Sequence, residues 1–197
     1  MLKSLTLSLC MFLAYTTTCA SSAQAQQLAT EQKAPDFELK DLSGKVQKLS
    51  QYLGKIVVLE WTNHTCPFVV KHYEQDTMGK LSKKHADVVW LTIDSSHYFD
   101  QAQNTEWAKQ HQVKTLLDDR DGTVGKSYGA RSTPHMFVID QAGKIAYQGA
   151  IDDDAFFEKQ ADQKLNYVDL AIQALQKGQK PATAYIKQYG CSVKYKQ

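Results

Sequence analysis

The chain has 197 residues, 23 Lys and Arg against 21 Asp and Glu, a formal net charge of +2 and 43% hydrophobic residues. That near balance supplies no basic field for nucleic acid or an anionic membrane, and the apolar content suffices for one well-buried domain. Four cysteines and six histidines are then the first places to look for chemistry.

The amino-terminal stretch reads as an address rather than as part of the fold. Met1-Leu2-Lys3 opens with a positive charge, residues 5–20 are mostly apolar or small, and Ala23-Gln24-Ala25 has the small-x-small form of a signal-peptidase site. Residues 1–25 are therefore expected to be a cleaved signal peptide, with Gln26 beginning the mature chain. A lipoprotein reading would use Cys19, but Thr16-Thr17-Thr18 lacks the usual leucine and small-residue context. The apolar part is too short and too rich in threonine to span a bilayer, and no other stretch could, so the expectation is a periplasmic or secreted protein without a membrane span. Cleavage would leave Cys66 and Cys191, which in an oxidising compartment form either a structural staple or a redox pair.

Residues 34–49 alternate apolar and polar around the turn Leu42-Ser43-Gly44-Lys45, which predicts an amino-terminal β-hairpin. Ile56-Val57-Val58-Leu59 is a strand, and after Glu60-Trp61 the polar bend Thr62-Asn63-His64-Thr65 leads into Cys66-Pro67 and a helical pattern. Residues 88–93 form a second apolar run, so strand, helix and strand make a βαβ unit with parallel strands and a right-handed crossover. Residues 98–113 are a weaker helix, Leu116-Leu117 a short strand, Asp118-Asp119-Arg120-Asp121 a solvated loop, and 123–128 a short helix stopped by Gly129. Residues 136–139 and 144–147 flank Asp140-Gln141-Ala142-Gly143 as a hairpin, so the sheet is mixed. Asp152-Asp153-Asp154 reads as a solvated loop. Asn166 caps a last helix striped by Val168, Ala171, Ile172 and Leu175, which ends at Gly178 and Pro181; the tail then carries Cys191 between Gly190 and Ser192. Residues 34–197 make one domain.

A thiol at a helix start faces backbone N–H groups that have no intrahelical partner and carry partial positive charge, which favours thiolate over thiol. Pro67 suits the first turn, Thr65 can cap, and the competing reading of Cys66 is a buried space-filler. His64 and His72 flank Cys66 and His135 follows Pro134, so a Cys/His metal site competes with an acid/base role for His64, but the spacing matches no closed ligand set. His85, His97 and His111 read as surface residues, and Trp61 and Trp90 as core.

Ala34-Pro35-Asp36-Phe37, the strand before Cys66-Pro67, Thr133-Pro134 before Phe137-Val138-Ile139-Asp140, and Gly143-Lys144-Ile145 followed by Tyr147-Gln148-Gly149 resemble the thioredoxin-fold redoxins. Within them the chain is most similar to the alkyl hydroperoxide reductase/thiol-specific antioxidant group. Asn63-His64-Thr65-Cys66-Pro67-Phe68 and the tail Gly190-Cys191-Ser192-Val193-Lys194-Tyr195 resemble a peroxiredoxin-like bacterial branch. The resemblance implies an α/β, thioredoxin-like three-layer sandwich, a mixed β-sheet with helices on both faces. It also makes Cys66 the attacking cysteine and Pro134 a cis-proline. Val69 stands where thioredoxins carry a second cysteine, which leaves Cys191 as the resolving partner. Peroxiredoxins have a threonine where Asn63 stands, so Thr62 and Arg131 are the candidates for polarising a peroxide. The reading is an exported thiol oxidoreductase that reduces peroxides or exchanges disulfides, regenerated by a thiol reductant, with no cofactor and no metal. The competing class is a non-catalytic copper or thiol-metal carrier using Cys66 with His64 or His72. Neither the oxidant, the reductant nor the oligomeric state is written in the sequence.

Overall fold

In a computed structural model, which describes residues 30–196, the first element is the antiparallel hairpin of β1 (Glu38–Asp41) and β2 (Val46–Lys48). After a 3-10 turn at Leu49–Tyr52 come β3 (Val57–Thr62), α1 (Pro67–Glu74), α2 (Thr77–Lys84), β4 (Val89–Asp94), α3 (Gln101–Gln110), β5 (Leu116–Asp118) and α4 (Thr123–Tyr128). The chain continues through β6 (Ser132–Thr133), β7 (His135–Ile139), β8 (Ile145–Gly149), α5 (Tyr167–Gln176), β9 (Tyr185–Ile186) and β10 (Cys191–Ser192). Eight strands form one sheet in the order β2-β1-β5-β4-β3-β7-β8-β9, and β6 pairs with β10 apart from it.

Strand β3 lies at the centre, parallel to β4 and antiparallel to β7, and all six of its residues are buried. Because successive side chains point to opposite faces, β3 feeds two cores. Val57, Leu59 and Trp61 pack with Phe37, Leu91, Ile93, Phe137 and, from α4, Val124 and Tyr128. Val58 packs on the other face with Met136, Val138 and Tyr147, under Met78 of α2 and Val168, Ala171 and Ile172 of α5. Helices thus cover both faces, as a strand buried on both sides requires. A third cluster at one end joins Cys66 and Val69 to Trp107, Ala108 and Leu116.

Four local expectations need correction. The helix after Cys66 is two helices, broken at Asp76, whose φ of 52° ends α1. The acidic run at 118–121 is not all solvated: Asp119 is buried and accepts from the N–H groups of Val124 and Gly125 at the start of α4, at 3.0 and 2.8 Å. Asp152 and Asp154 are likewise buried, because Lys164 lies 3.8 and 2.9 Å from their carboxylates. His85 is buried against Asp169, 2.6 Å away, rather than on the surface. Among the described residues no helix is long and apolar enough to cross a membrane; residues 1–25 lie outside them.

Candidate active site

Cys66 is the N-cap of α1, with extended backbone angles, and Pro67 occupies the first helical position. Its own carbonyl accepts from Val70 N–H at 2.9 Å, so the helix begins at the thiol. Thr65 does not cap. Its N–H and hydroxyl both donate to Asn63 Oδ1, at 2.9 and 2.8 Å, while Asn63 Nδ2 donates to Ser96 Oγ and to Tyr98 OH at 2.8 and 2.9 Å. The Asn63 amide is thereby committed at both ends, and it shapes the bend that aims α1.

The Thr133-Pro134 peptide is cis, and the Thr133 carbonyl lies 2.9 Å from Cys66 Sγ. On the far side, β10 pairs antiparallel with β6 so that Cys191 faces Thr133 in register. This close approach depends on Gly190. With φ +127°, it lies so near the chain that a Cβ there would meet the Thr133 oxygen. The tail thus packs the Cys191 side chain against the cluster that holds Cys66. Both thiols are unoxidised; Cys66 is only 2% exposed and Cys191 is half-buried.

The two thiols are electrostatically unequal. Burial pushes the Cys66 pKa up, but hydrogen bonds from Cys191 and from the Val69 N–H of the first turn outweigh it and hold the thiol below its usual value. Cys191 is pushed up to about 11, first by burial and then by the hydrogen bond to Cys66 and its charge. The Thr133 carbonyl, an acceptor for the Cys66 S–H, opposes ionisation of Cys66, but the net direction favours a thiolate at Cys66 and a proton on Cys191.

The remaining sequence-derived candidates are dispersed. Thr62 is buried at the end of β3, its hydroxyl without a hydrogen-bond partner among the described residues. His64 packs edge-on against Phe99 and Trp107, ring centroids 3.5 and 5.8 Å away, and burial lowers its pKa. Arg131 is exposed; its N–H donates to His135 Nδ1 at 3.4 Å and its carbonyl accepts from Val193 N–H at 3.2 Å. Burial and the neighbouring Arg131 charge drive His135 down to about 3. The histidines near Cys66 are thus engaged separately, and among the described residues no three His, Cys, Asp or Glu side chains gather as metal ligands would.

Two arrangements near the site were not expected from the sequence. Glu60, 3% exposed in β3, accepts from Tyr73 OH of α1 at 2.8 Å, and burial raises its pKa to about 7. A carboxylate in an otherwise apolar strand was its one available signal. The second is a chain of contacts from His72 on α1 through Tyr189 OH to Asp152, at 2.8 and 2.6 Å, which depends on three distant segments meeting.

Comparison with known proteins agrees with this architecture. Thiol-disulfide oxidoreductase ResA of Bacillus cereus is 28% identical over 126 residues, 62% of this chain and 70% of its own. Chloroplastic peroxiredoxin Q of Triticum aestivum is 30% identical over 130 residues, 57% of this chain and 55% of its own. A hypothetical protein of Sinorhizobium meliloti superposes with a TM-score of 0.75 over 87% of this chain and 97% of its own, at 23% identity, which establishes a shared fold. The sequence pattern described as Redoxin matches residues 29–165, well over half of the chain and including Cys66 and Pro134, and with the thiol at the head of α1 beside a cis-proline it places this chain in the redoxin family.

Proposed function

We propose that this redoxin is an exported thiol oxidoreductase in which Cys66 is the nucleophile and Cys191 resolves the intermediate. The observation that carries the reading is the β10–β6 pairing, which sets Cys191 opposite Thr133, the residue whose carbonyl touches Cys66 Sγ, and packs it against the Cys66 cluster.

With a peroxide, the Cys66 thiolate attacks one oxygen, the O–O bond breaks, and the departing alkoxide or hydroxide takes a proton, leaving a sulfenic acid on Cys66. Cys191 sulfur then attacks Cys66 Sγ, the S–O bond breaks, and water leaves with the Cys191 proton. With a disulfide, Cys66 attacks one sulfur and expels a thiolate; Cys191 attack on the mixed disulfide expels the second. Either route ends in a Cys66–Cys191 disulfide, which two equivalents of an external thiol, or one dithiol, reduce. The high Cys191 pKa does not block resolution. Burial, its largest cause, persists, but the contributions of the Cys66 thiolate are gone once Cys66 is oxidised, and the thiol can lose its proton as it attacks.

The named relatives support both oxidants, one being a thiol-disulfide oxidoreductase and one a peroxiredoxin. A single-turnover stopped-flow comparison of the reduced protein with hydrogen peroxide and with a model disulfide tests the reading. Rapid oxidation of Cys66 by one of them is expected, and inertness towards both would end it. Export rests on Ala23-Gln24-Ala25, and intact mass of exported protein beginning at or near Gln26 is the matching expectation.

A further inference from the structure

We propose that the Tyr189 hydroxyl, held between His72 and Asp152, is a positioning group that fixes Cys191 against Cys66 for the resolving step. The inference deepens the function above and rests on Cys191 being the resolving residue.

The ladder that carries Cys191 is short, two residues of β10 against two of β6, so the tail needs other anchors. Downstream, Tyr195 OH donates to the Ala130 carbonyl at 2.8 Å, and the ring fills the space left by Gly122 and Gly125. That anchor ties the tail to the α4–β6 segment. Upstream, Tyr189 ties it to α1, the helix that begins at Cys66. Its ring lies over His72 and near Phe68, centroids 6.0 and 5.9 Å away. Backbone bonds of Val193 to Arg131 and of Lys194 to His97 also hold the tail, but of its side-chain hydrogen bonds that of Tyr189 couples the position of Cys191 to the element carrying its partner.

The proton inventory of this contact is determined. Tyr189 donates its one proton to Oδ1 of Asp152 at 2.6 Å, a short bond to a carboxyl group buried beside Lys164. The tyrosine oxygen must then accept from His72 Nε2, 2.8 Å away, and Nδ1 is left to accept from Thr77 Oγ1 at 3.3 Å. Burial keeps His72 neutral, its pKa lowered to about 4, so one ring nitrogen donates and the other accepts. Helix α1, the 150–166 loop and the tail therefore meet at one hydroxyl. The hydroxyl is what a general packing role would not specify, since phenylalanine would fill the same space.

Tyr189→Phe removes the hydroxyl and keeps the ring. The expected result is an unchanged rate of Cys66 oxidation and closure of the Cys66–Cys191 disulfide slowed by about tenfold, the factor that about 1.4 kcal/mol of lost hydrogen bonding represents. Amide hydrogen exchange should quicken at residues 191–193 while the amides of β3 and β7 keep their protection. Thr77→Val, which withdraws only the donor to Nδ1, serves as the milder second variant and should slow closure by a smaller factor. Cys191→Ser runs in parallel. If it cycles normally, the assignment of Cys191 as resolving residue fails. If Cys191→Ser stalls while Tyr189→Phe and Thr77→Val close the disulfide at the wild-type rate, the positioning role is overturned and the catalytic assignment stands. Loss of protection across β3 and β7 in Tyr189→Phe would mark a purely structural residue and likewise overturn it.

Discussion

Replacing Glu60 with glutamine isolates the energetics of the buried carboxyl group in the central strand. Its pKa is about 7 in the folded chain, where burial penalises the charged form, against about 4.3 for an unfolded glutamate, a difference that corresponds to about 3 to 4 kcal/mol. Between those two pH values the native state keeps a proton that the unfolded state has released. The native state is therefore favoured fully below about pH 4.3, loses this advantage as pH rises, and has lost it above about 7. Glutamine cannot ionise, nearly matches the volume, and its carbonyl can still accept from Tyr73 OH. Glu60→Gln should thus gain about 3 kcal/mol over the wild type in going from pH 4 to pH 8. His72 and His135, depressed to about 4 and about 3, act in the opposite sense: buried neutral, they cost stability as pH falls below about 6.5. They do so in both proteins, and the difference between the two curves removes them. Denaturant unfolding of the reduced proteins at a series of pH values, with comparable m-values, measures it. A difference that does not change with pH would mean that Glu60 ionises normally, and the account of its burial would be wrong.

The inequality of the two thiols predicts that a small neutral alkylating agent at pH 6 modifies Cys66 before Cys191, despite the deeper burial of Cys66, because the thiolate is the reacting species. Comparable rates, or Cys191 first, would remove the electrostatic basis for calling Cys66 the nucleophile. Gly190→Ala would place a methyl group against the Thr133 oxygen in a backbone conformation that L-residues rarely adopt. Undocking of β10 and a fall in disulfide closure of at least about tenfold are expected, from a strain of the order of 1 to 3 kcal/mol. Wild-type closure kinetics would show that the close approach at Gly190 is not needed.

The local patterns of the sequence carry the fold a long way. The run at 56–59, the thiol before Pro67, the hairpin about Gly143 and the helix after Asn166 each announce themselves through periodicity and turn chemistry, and each forms. What the sequence conceals depends on distant partners. Asp119, Asp152 and Asp154 look like solvated charge because acidic residues usually are; here helix N–H groups and Lys164 compensate their burial. His85 looked exposed because its partner Asp169 lies 84 positions away. The place of Cys66 at a helix start was legible from local context, and the cis bond at Pro134 from the resemblance. The pairing of Cys191 with Cys66 was an expectation from the cysteine count and the resemblance, but the two-residue ladder and the close approach at Gly190 that bring the tail there were not legible. Tyr189 had no sequence signal, being one of the tyrosines of a largely polar tail whose hydrogen-bond partners, His72 and Asp152, are distant in sequence.

The central claim is that Cys66 and Cys191 are a redox couple within one chain. Reduced protein treated with one equivalent of oxidant, quenched by acid and mapped by mass spectrometry under non-reducing conditions, tests it most directly. The account predicts a single intramolecular disulfide joining the Cys66 and Cys191 peptides, reopened by a dithiol under native conditions. Both thiols recovered free, or Cys66 found joined only to a second chain or to a small thiol, would contradict it.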